Sequence, residues 1–272
     1  MPSTRLWMFG ERAVPLTKHI AIRCRNSIRK EKKDRKSRHM KFAIIAAGEG
    51  SRLQEEGIES PKPLVEIRGE KLLERLVRIF RQNGAEEIVT IVNAHTPRTE
   101  RFVKTLEGND LRVVVKSTPS SMHSFFELSA FLTDAPFCLT TVDTIFKEEE
   151  FAAFIEHFKK SEADGCMAVT DFIDDEKPLF VGVDSNFLIT NFLDERQDCR
   201  YVSGGIYCLK PAALQTLRRC VESGQSRMRN YQRALIAEGF RLEACPFSKI
   251  LDIDHASDIA KAEEFLQGDK VS

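Results

Sequence analysis

The sequence lacks several features that would assign it to a class at once. It has no apolar run close to the roughly 18 residues of a membrane-spanning helix. Its seven cysteines are odd in number and never spaced as C-x-x-C, which indicates neither a disulfide framework nor a zinc site. The histidines, including His157 and His255, show no metal-ligand spacing either. We therefore expect a protein without a membrane segment in a reducing compartment, by default the cytoplasm.

Net charge is also absent, because 41 Lys and Arg balance 41 Asp and Glu. The balance hides an asymmetry: residues 1–40 hold 12 basic and 3 acidic residues, and the rest of the chain holds 29 and 38. The run RCRNSIRKEKKDRKSRH (23–39) is typical of a disordered basic tail. Three other interpretations stay open: a targeting segment, an RNA-binding arm, or untranslated sequence before a start at Met40. We predict a tail at 1–39 and a single domain at 40–272.

Short β-branched apolar runs alternate with helical patterns in the first half of the chain. The runs are FAIIAAG (42–48), EIVTIVN (87–93), LRVVVK (111–116) and FCLTTVD (137–143). The helical patterns between them are 71–84, 98–108 and 121–132. Near-continuous apolar runs suit strands buried on both faces of a parallel sheet, and this alternation predicts right-handed βαβ units.

The second half begins with strands joined by turns and then returns to helices. Predicted strands are 165–172, 179–185, 187–193, 200–210, 241–247 and 250–254. Predicted helices are 211–221, 229–239 and 256–267. Asp184-Ser185-Asn186 is expected to form a hairpin turn. The fold class is therefore α/β, a Rossmann-like three-layer sandwich whose mostly parallel central sheet becomes mixed in the C-terminal half.

Polar residues follow each of the first four strands. They are Gly48–Arg52, Asn93, Ser117–Ser124 and Asp143. Ligands bind outside the carboxyl ends of the strands in open α/β sheets, so we expect these residues to form a single site.

The stretch AAGEGSRLQEEGIESPKPL (46–64) has the composition of a phosphate-binding loop. It is neither a P-loop nor a dinucleotide fingerprint, because Leu53 stands where both motifs require glycine. Its two glycines still let backbone N–H groups approach an anion. Arg52 adds a planar cationic fork, and Lys62 adds a point charge held between two prolines.

AAGEGSRL followed by SPKPL, with the arginine and lysine ten residues apart, resembles the sugar-phosphate nucleotidyltransferases, NTP transferases of the MobA-like, GT-A-type fold. Similar landmarks continue over most of residues 41–267. The resemblance implies transfer of a nucleoside monophosphate from an NTP to a phosphorylated sugar or small alcohol, with release of pyrophosphate. It implies Mg²⁺ as cofactor and a cytoplasmic enzyme of nucleotide-sugar biosynthesis. No nucleic-acid or membrane partner is expected, and a homo-oligomer stays open.

The resemblance also implies roles for individual residues. Arg52 and Lys62 would be catalytic, and Asp143 in TVDTIF and Asp254 in LDIDHASD would bind the metal, with Asp252 able to assist. The implied nucleotide-binding residues are Ala47, Gly48, Gly50, Ser51, Arg52, Asn93 and Ser124. The implied acceptor-binding residues are Arg196 and Gly205.

The sequence departs from the family pattern at several positions. Val142 replaces the usual glycine before the metal aspartate, Glu55-Glu56-Gly57 replaces a Pro-Leu-Thr stretch, and TPSSMHSFFEL (118–128) replaces a Gly-Thr-Ala segment. These departures leave the base and the acceptor open. Two other functions stay open, a glycosyltransferase on a similar fold and a non-catalytic nucleotide-binding regulator. The absence of Asp-x-Asp, with VDT in its place, argues against the first.

Structural interpretations of the same residues also stay open. Asp143 could end a strand in a turn, and Asp254 could N-cap the last helix. Asn93 and Ser124 could satisfy local backbone groups. Arg196 could form a surface ion pair.

Overall fold

The computed structural model describes residues 39–106 and 108–267. The tail predicted at 1–39 lies outside the described residues, apart from His39. None of the described helices is both long and apolar enough to cross a bilayer.

The strands and helices alternate much as the apolar runs predict. The strands are β1 (Lys41–Ala46), β2 (Glu66–Ile67), β3 (Glu70–Lys71), β4 (Glu87–Val92), β5 (Leu111–Val115), β6 (Phe137–Thr141), β7 (Thr144–Ile145), β8 (Gly165–Thr170), β9 (Phe180–Val183), β10 (Ile189–Leu193), β11 (Tyr201–Leu209), β12 (Leu242–Phe247) and β13 (Leu251–Asp252). The helices are α1 (Ser51–Glu55), α2 (Leu72–Gln82), α3 (Pro97–Val103), α4 (Ser121–Ser129), α5 (Glu148–Lys160), α6 (Ala213–Glu222), α7 (Met228–Ala237) and α8 (Ala256–Leu266), and a 3-10 turn spans Lys62–Leu64.

The large sheet runs in the order β10-β9-β11-β6-β1-β4-β5, and β8 pairs with both β11 and β12. Strands β6, β1, β4 and β5 are mutually parallel. Strand β11 is antiparallel to β6, β8 and β9, which makes the later part of the sheet mixed. The predicted fold class, with its change from parallel to mixed pairing, is confirmed.

Helices cover both faces of the sheet. Phe42 and Ile44 of β1 belong to one buried cluster, into which α2, α5 and α8 pack. Ala43 and Ile45 belong to the other, into which α4, α6 and α7 pack. Alternate residues of β1 thus enter opposite layers, as the period of two in a strand requires.

Helix α5 is an element that the sequence analysis did not identify. Its buried residues Phe151, Phe154, Ile155 and Phe158 follow helical spacing. Acidic residues fill its first turn and basic residues its last, which complements the helix dipole. The signal was therefore present and was overlooked. The predicted hairpin turn is confirmed, because β9 and β10 pair antiparallel on either side of it and the Asp184 carboxylate accepts from the backbone N–H groups of Asn186 and Leu188.

Candidate active site

The glycine loop after β1 is shaped by one glycine in particular. Gly50 has φ 66°, in the left-handed region, and it precedes α1. A Cβ at this position would lie 3.0 Å from Cβ of Lys62. Gly50 is therefore needed for its backbone conformation and for the close approach of the lysine segment. This close approach places Lys62 beside the glycine loop.

Asn93, after β4, joins the loops that follow three parallel strands. Its Nδ2 donates to the Ala47 carbonyl at 3.1 Å. Its Oδ1 accepts from the Ser117 hydroxyl at 2.6 Å and from the His95 amide at 2.9 Å. The predicted convergence of these loops on one sheet edge is confirmed. Asn93 therefore holds the start of the glycine loop through the Ala47 carbonyl. Its contact with a nucleotide stays a prediction.

Ser124 is buried in the first half of α4. Its hydroxyl is hydrogen-bonded to that of Thr118. The pair fixes the start of the segment that departs from the family pattern. A role for Ser124 in nucleotide binding also stays a prediction.

Lys62 is the centre of the charged site. Its ammonium forms ion pairs with Asp143 and with Asp254, the second at an Nζ–Oδ1 distance of 2.7 Å. Burial opposes the charge of Lys62, but the two carboxylates outweigh that effect and raise its pKa above the ordinary value. The side chains of Lys62 and Asp143 are 11% and 15% exposed, so this pair is shielded from solvent. Lys62 is a permanent positive charge at the mouth of the glycine loop.

Asp143 has a carboxylate oxygen with no partner among the described residues. Oδ2 pairs with Lys62, whereas Oδ1 is buried and forms no hydrogen bond within residues 39–106 and 108–267. A buried polar atom left unpaired is costly unless a ligand satisfies it. A carboxylate oxygen in this state suits Mg²⁺, which prefers hard oxygen ligands.

Asp252 adds a third carboxylate to this group. Crowding by the surrounding protein and repulsion from Asp143 and Asp254 raise the pKa of Asp252 above its ordinary value. Asp252 is exposed to the cleft, so the repulsion between carboxylates is the main cause. We call Asp143, Asp252 and Asp254, with Lys62, the carboxylate cluster. Three carboxylates face two cations, Lys62 and, at 3.4 Å from Asp254, Arg52. The group is therefore short of positive charge, which a divalent cation would supply.

Asp254 is held in place by its neighbours and does not cap the last helix. The N-cap of α8 is His255, which forms a capping box with Asp258. The Asp258 carboxylate also accepts from the Asp254 amide at 3.2 Å. The side chain of Asp254 is thus free to pair with Lys62 and, at 3.4 Å, with Arg52.

Glu56, part of a departure from the family pattern, ties α1 to the start of α8. One carboxylate oxygen lies 2.6 Å from Nδ1 of His255, and the other accepts from the Ala256 amide at 2.6 Å. These hydrogen bonds lower the pKa of Glu56. Glu56 therefore fastens the loop of Arg52 to the segment of Asp254. Sequence analysis missed this role, because nothing local marks a partner that is 199 residues away.

A cleft of about 270 Å³ opens beside the carboxylate cluster. It is lined by Arg52, Asp252 and Asp254 together with Thr170 and Ser203. Gly205 has φ 72° at an irregular point of β11, and a Cβ there would lie 3.8 Å from Thr144, next to Asp143. Arg196 does not line this cleft: it lies exposed between β10 and β11. The structure thus brings Gly205 to the site and leaves Arg196 outside it, so the acceptor role of Arg196 stays a prediction.

Comparison with known proteins gives consistent matches. Residues 42–237 match the family model for the MobA-like NTP transferase domain. The bifunctional IPC transferase and DIPP synthase of Rubrobacter xylanophilus is 27% identical over 235 residues, which are 83% of this chain and 52% of that protein. A mannose-1-phosphate guanyltransferase of Schizosaccharomyces pombe is 28% identical over 65% of this chain and 52% of its own length. The chain spans about half the length of these curated relatives.

Solved structures share the fold at low identity. The inositol-1-phosphate CTP transferase from T. maritima has a TM-score of 0.69 and 19% identity, covering 85% of this chain and 98% of that one. The CTP:phosphocholine cytidylyltransferase from Streptococcus pneumoniae has a TM-score of 0.68 and 18% identity, covering 84% and 100%. The family resemblance that the loop motif carried and the fold class that the apolar runs predicted are both confirmed.

Proposed function

Because the chain belongs to the family of MobA-like NTP transferase domains, we propose that it transfers a nucleoside monophosphate from an NTP to a phosphorylated sugar or small alcohol and releases pyrophosphate. The observation that carries the proposal is the Lys62 ammonium, held between Asp143 and Asp254 beside the glycine loop. A lysine, an arginine and carboxylates at the carboxyl ends of parallel strands suit phosphoryl-transfer chemistry.

The reaction forms a bond between an acceptor phosphate oxygen and the α-phosphorus of the NTP. The bond from that phosphorus to the bridging oxygen of pyrophosphate breaks. There is little covalent work for the protein, so positioning and charge neutralisation dominate. Backbone N–H groups at Gly48–Arg52 would bind the triphosphate, Lys62 would neutralise charge near the α-phosphate, and Arg52 would stabilise the leaving pyrophosphate.

Asp143 and Asp254 would hold Mg²⁺, and the unpaired Oδ1 of Asp143 supports this assignment. When bound, the ion would supply positive charge to the phosphates. The chain's own groups have separate tasks: Lys62 keeps both aspartates oriented, and Glu56 holds the segment that carries Asp254.

The acceptor would enter through the cleft beside Asp252 and Gly205. The relatives differ in substrate: the names of the two solved structures specify inositol 1-phosphate and phosphocholine, and that of the S. pombe protein specifies mannose 1-phosphate. The present chain is therefore assigned a phosphorylated sugar or small alcohol as a class.

The valine at position 142, where the family has glycine, is not evidence for a non-catalytic regulator. Its side chain is buried in the core with Ile44 and Phe146, so the change from glycine is accommodated away from the charged groups.

The test measures pyrophosphate release by the full chain with Mg²⁺. Each of the common NTPs is paired with sugar 1-phosphates, inositol 1-phosphate and phosphocholine. We expect release that requires one NTP and one acceptor. Asp143→Asn should abolish it, and Asp134→Asn, which changes an exposed partner of Lys41, should not. Sugar transfer from an NDP-sugar without NTP consumption would show a glycosyltransferase, and NTP binding without turnover across the panel would support a regulator.

A further inference from the structure

Three side chains of the kinds that can bind metals lie together outside the carboxylate cluster. His157 comes from the end of α5, Cys166 from β8 and Cys245 from β12. One ligand atom from each residue lies within 4.8 Å of the others. We call these three residues the His-Cys cluster. Their sequence spacing gave no sign of a site, because each residue belongs to a different element.

The His-Cys cluster is separate from the active site. Strand β8 runs in the same direction as β6, since both are antiparallel to β11. In the register of the sheet, Cys208 of β11 is paired with Cys166 of β8 and with Cys138 near the start of β6. Asp143 follows the other end of β6, five residues beyond Cys138, or roughly 16 Å at the rise of a strand. The two groups therefore cannot share one ion.

Glu243 supports the His-Cys cluster from the neighbouring position on β12. Its Oε2 lies 2.8 Å from Nε2 of His157, accepts from the Ser161 hydroxyl at 2.9 Å, and lies 3.7 Å from Sγ of Cys166. Metal-binding histidines are commonly oriented by a carboxylate in this way. Glu243 is thus within reach to orient the imidazole or to supply a further ligand.

The cluster is also accessible. A cavity of about 490 Å³ is lined by His157, Glu243 and Cys245. Cys166 is fully buried behind it, while His157 is exposed at its edge. An ion could enter from the cavity, and a water molecule could occupy a remaining position, as in sites with three protein ligands.

We propose that His157, Cys166 and Cys245 bind one divalent cation of the zinc class. Two sulfurs and an imidazole select zinc or a similar borderline metal over Mg²⁺, which prefers oxygen. The ion would join α5 to strands β8 and β12. Its role would be structural, because these elements carry no residue of the carboxylate cluster.

The proposal is tested with cobalt, whose bonds to thiolates absorb light and so report on cysteine ligands. The full chain is reduced, stripped of metal with a chelator and titrated with Co²⁺ in excess Mg²⁺, which occupies oxygen sites. We expect a thiolate band that saturates at one Co²⁺ per chain and disappears when Zn²⁺ is added. Cys245→Ser and His157→Ala should weaken binding by about 100-fold or more, since loss of even an orienting partner costs about 10–100-fold.

Cys199→Ser is the matched control, because Cys199 is also half-buried and lies outside the cluster. It should titrate like the unaltered chain. His157 is exposed, so its replacement tests the site without disturbing the core. The proposal is overturned if the reduced chain shows no thiolate band, or if His157→Ala and Cys245→Ser bind Co²⁺ as the unaltered chain does.

Discussion

The two groups of side chains on either side of the short strand β7 have opposite effects on the stability of the fold. Phe146 follows β7 and belongs to an aromatic cluster of Phe42, Phe80, Phe146, Phe151, Phe154 and Phe247, with ring centroids 4.7–6.4 Å apart. Asp143 precedes β7 and belongs to the carboxylate cluster, where like charges repel and one oxygen has no partner. The aromatic cluster stabilises the fold, and the carboxylate cluster is held against its own repulsion.

This contrast shows how a stable core supports a site that is unfavourable by itself. Buried aromatic side chains bring large apolar areas together with favourable ring geometry. Adjacent carboxylates at the site lower stability until a cation or another ligand offsets their charge. Substitutions in the first group should therefore lower stability, whereas those in the second should lower activity or, where they remove a repelling carboxylate, raise stability.

The largest effect is expected for Phe151→Ala in the aromatic cluster. Phe151 contacts Phe146 and Phe80 at centroid distances of 4.8 and 5.6 Å and is fully buried. Its loss should lower the free energy of unfolding by about 3–5 kcal/mol, measured by chemical denaturation. Phe187→Ala, at a position 44% exposed, should change it by less than about 0.5 kcal/mol. If the folded molecules of Phe151→Ala released less pyrophosphate than the unaltered chain, the aromatic cluster would affect activity as well as stability, which would contradict the comparison.

The next largest effect is expected for Lys62→Ala and Arg52→Ala, on activity. Each removes a preorganised positive charge, so kcat for pyrophosphate release should fall by about 10²–10³. Lys104→Ala is the control. It removes an exposed lysine that C-caps α3 and pairs with Glu100, and it should leave kcat unchanged. A loss below about tenfold for Lys62→Ala would contradict the role that we assign to it.

A smaller effect, a gain in stability, is expected for Asp252→Asn. Removing one of three mutually repelling carboxylates should raise the free energy of unfolding in the absence of divalent metal, by no more than about 1 kcal/mol because solvent screens this exposed side chain. Added Mg²⁺ should then stabilise the unaltered chain more than the variant, as judged by the rise in Tm. Asp134→Asn, which removes an attractive pair with Lys41, should be neutral or destabilising. Destabilisation by Asp252→Asn would show that repulsion is not the dominant interaction there.

The smallest effect is expected for Glu56→Gln. The substitution removes a negative charge at the N-terminus of α8 and weakens the connection to His255. We expect kcat/KM to fall about 2–5-fold, the range for one charge at a helix terminus. Glu55→Gln, an exposed neighbour on the same helix, is the matched control. Equal effects of the two substitutions would mean that Glu56 does not position Asp254.

Much of the fold followed from local patterns. Continuous apolar runs predicted β1, β4, β5 and β6 within about two residues, because a doubly covered parallel strand must be apolar on both faces. Helix α3 ends at Val103, earlier than the predicted 98–108. Boundaries of this kind depend on which turn still packs against the core.

The site was predictable in part. The family resemblance implied that Arg52, Lys62, Asp143 and Asp254 would meet, and they do. The same resemblance gave Arg196 an acceptor role, although it lies outside the cleft. Loop residues between antiparallel strands have no fixed direction in sequence, whereas residues at the ends of parallel strands share one edge.

The sequence by itself determined the alternation of strands and helices, the glycine loop and the identity of the charged residues. Those features depend on periodicity and on backbone freedom, which act over a few residues. Tertiary structure alone decided that Glu56 meets His255, that Asp143 keeps one oxygen unpaired, and that His157, Cys166 and Cys245 lie together. Such contacts join positions far apart in the chain, and only the packing of whole helices and strands fixes their distances.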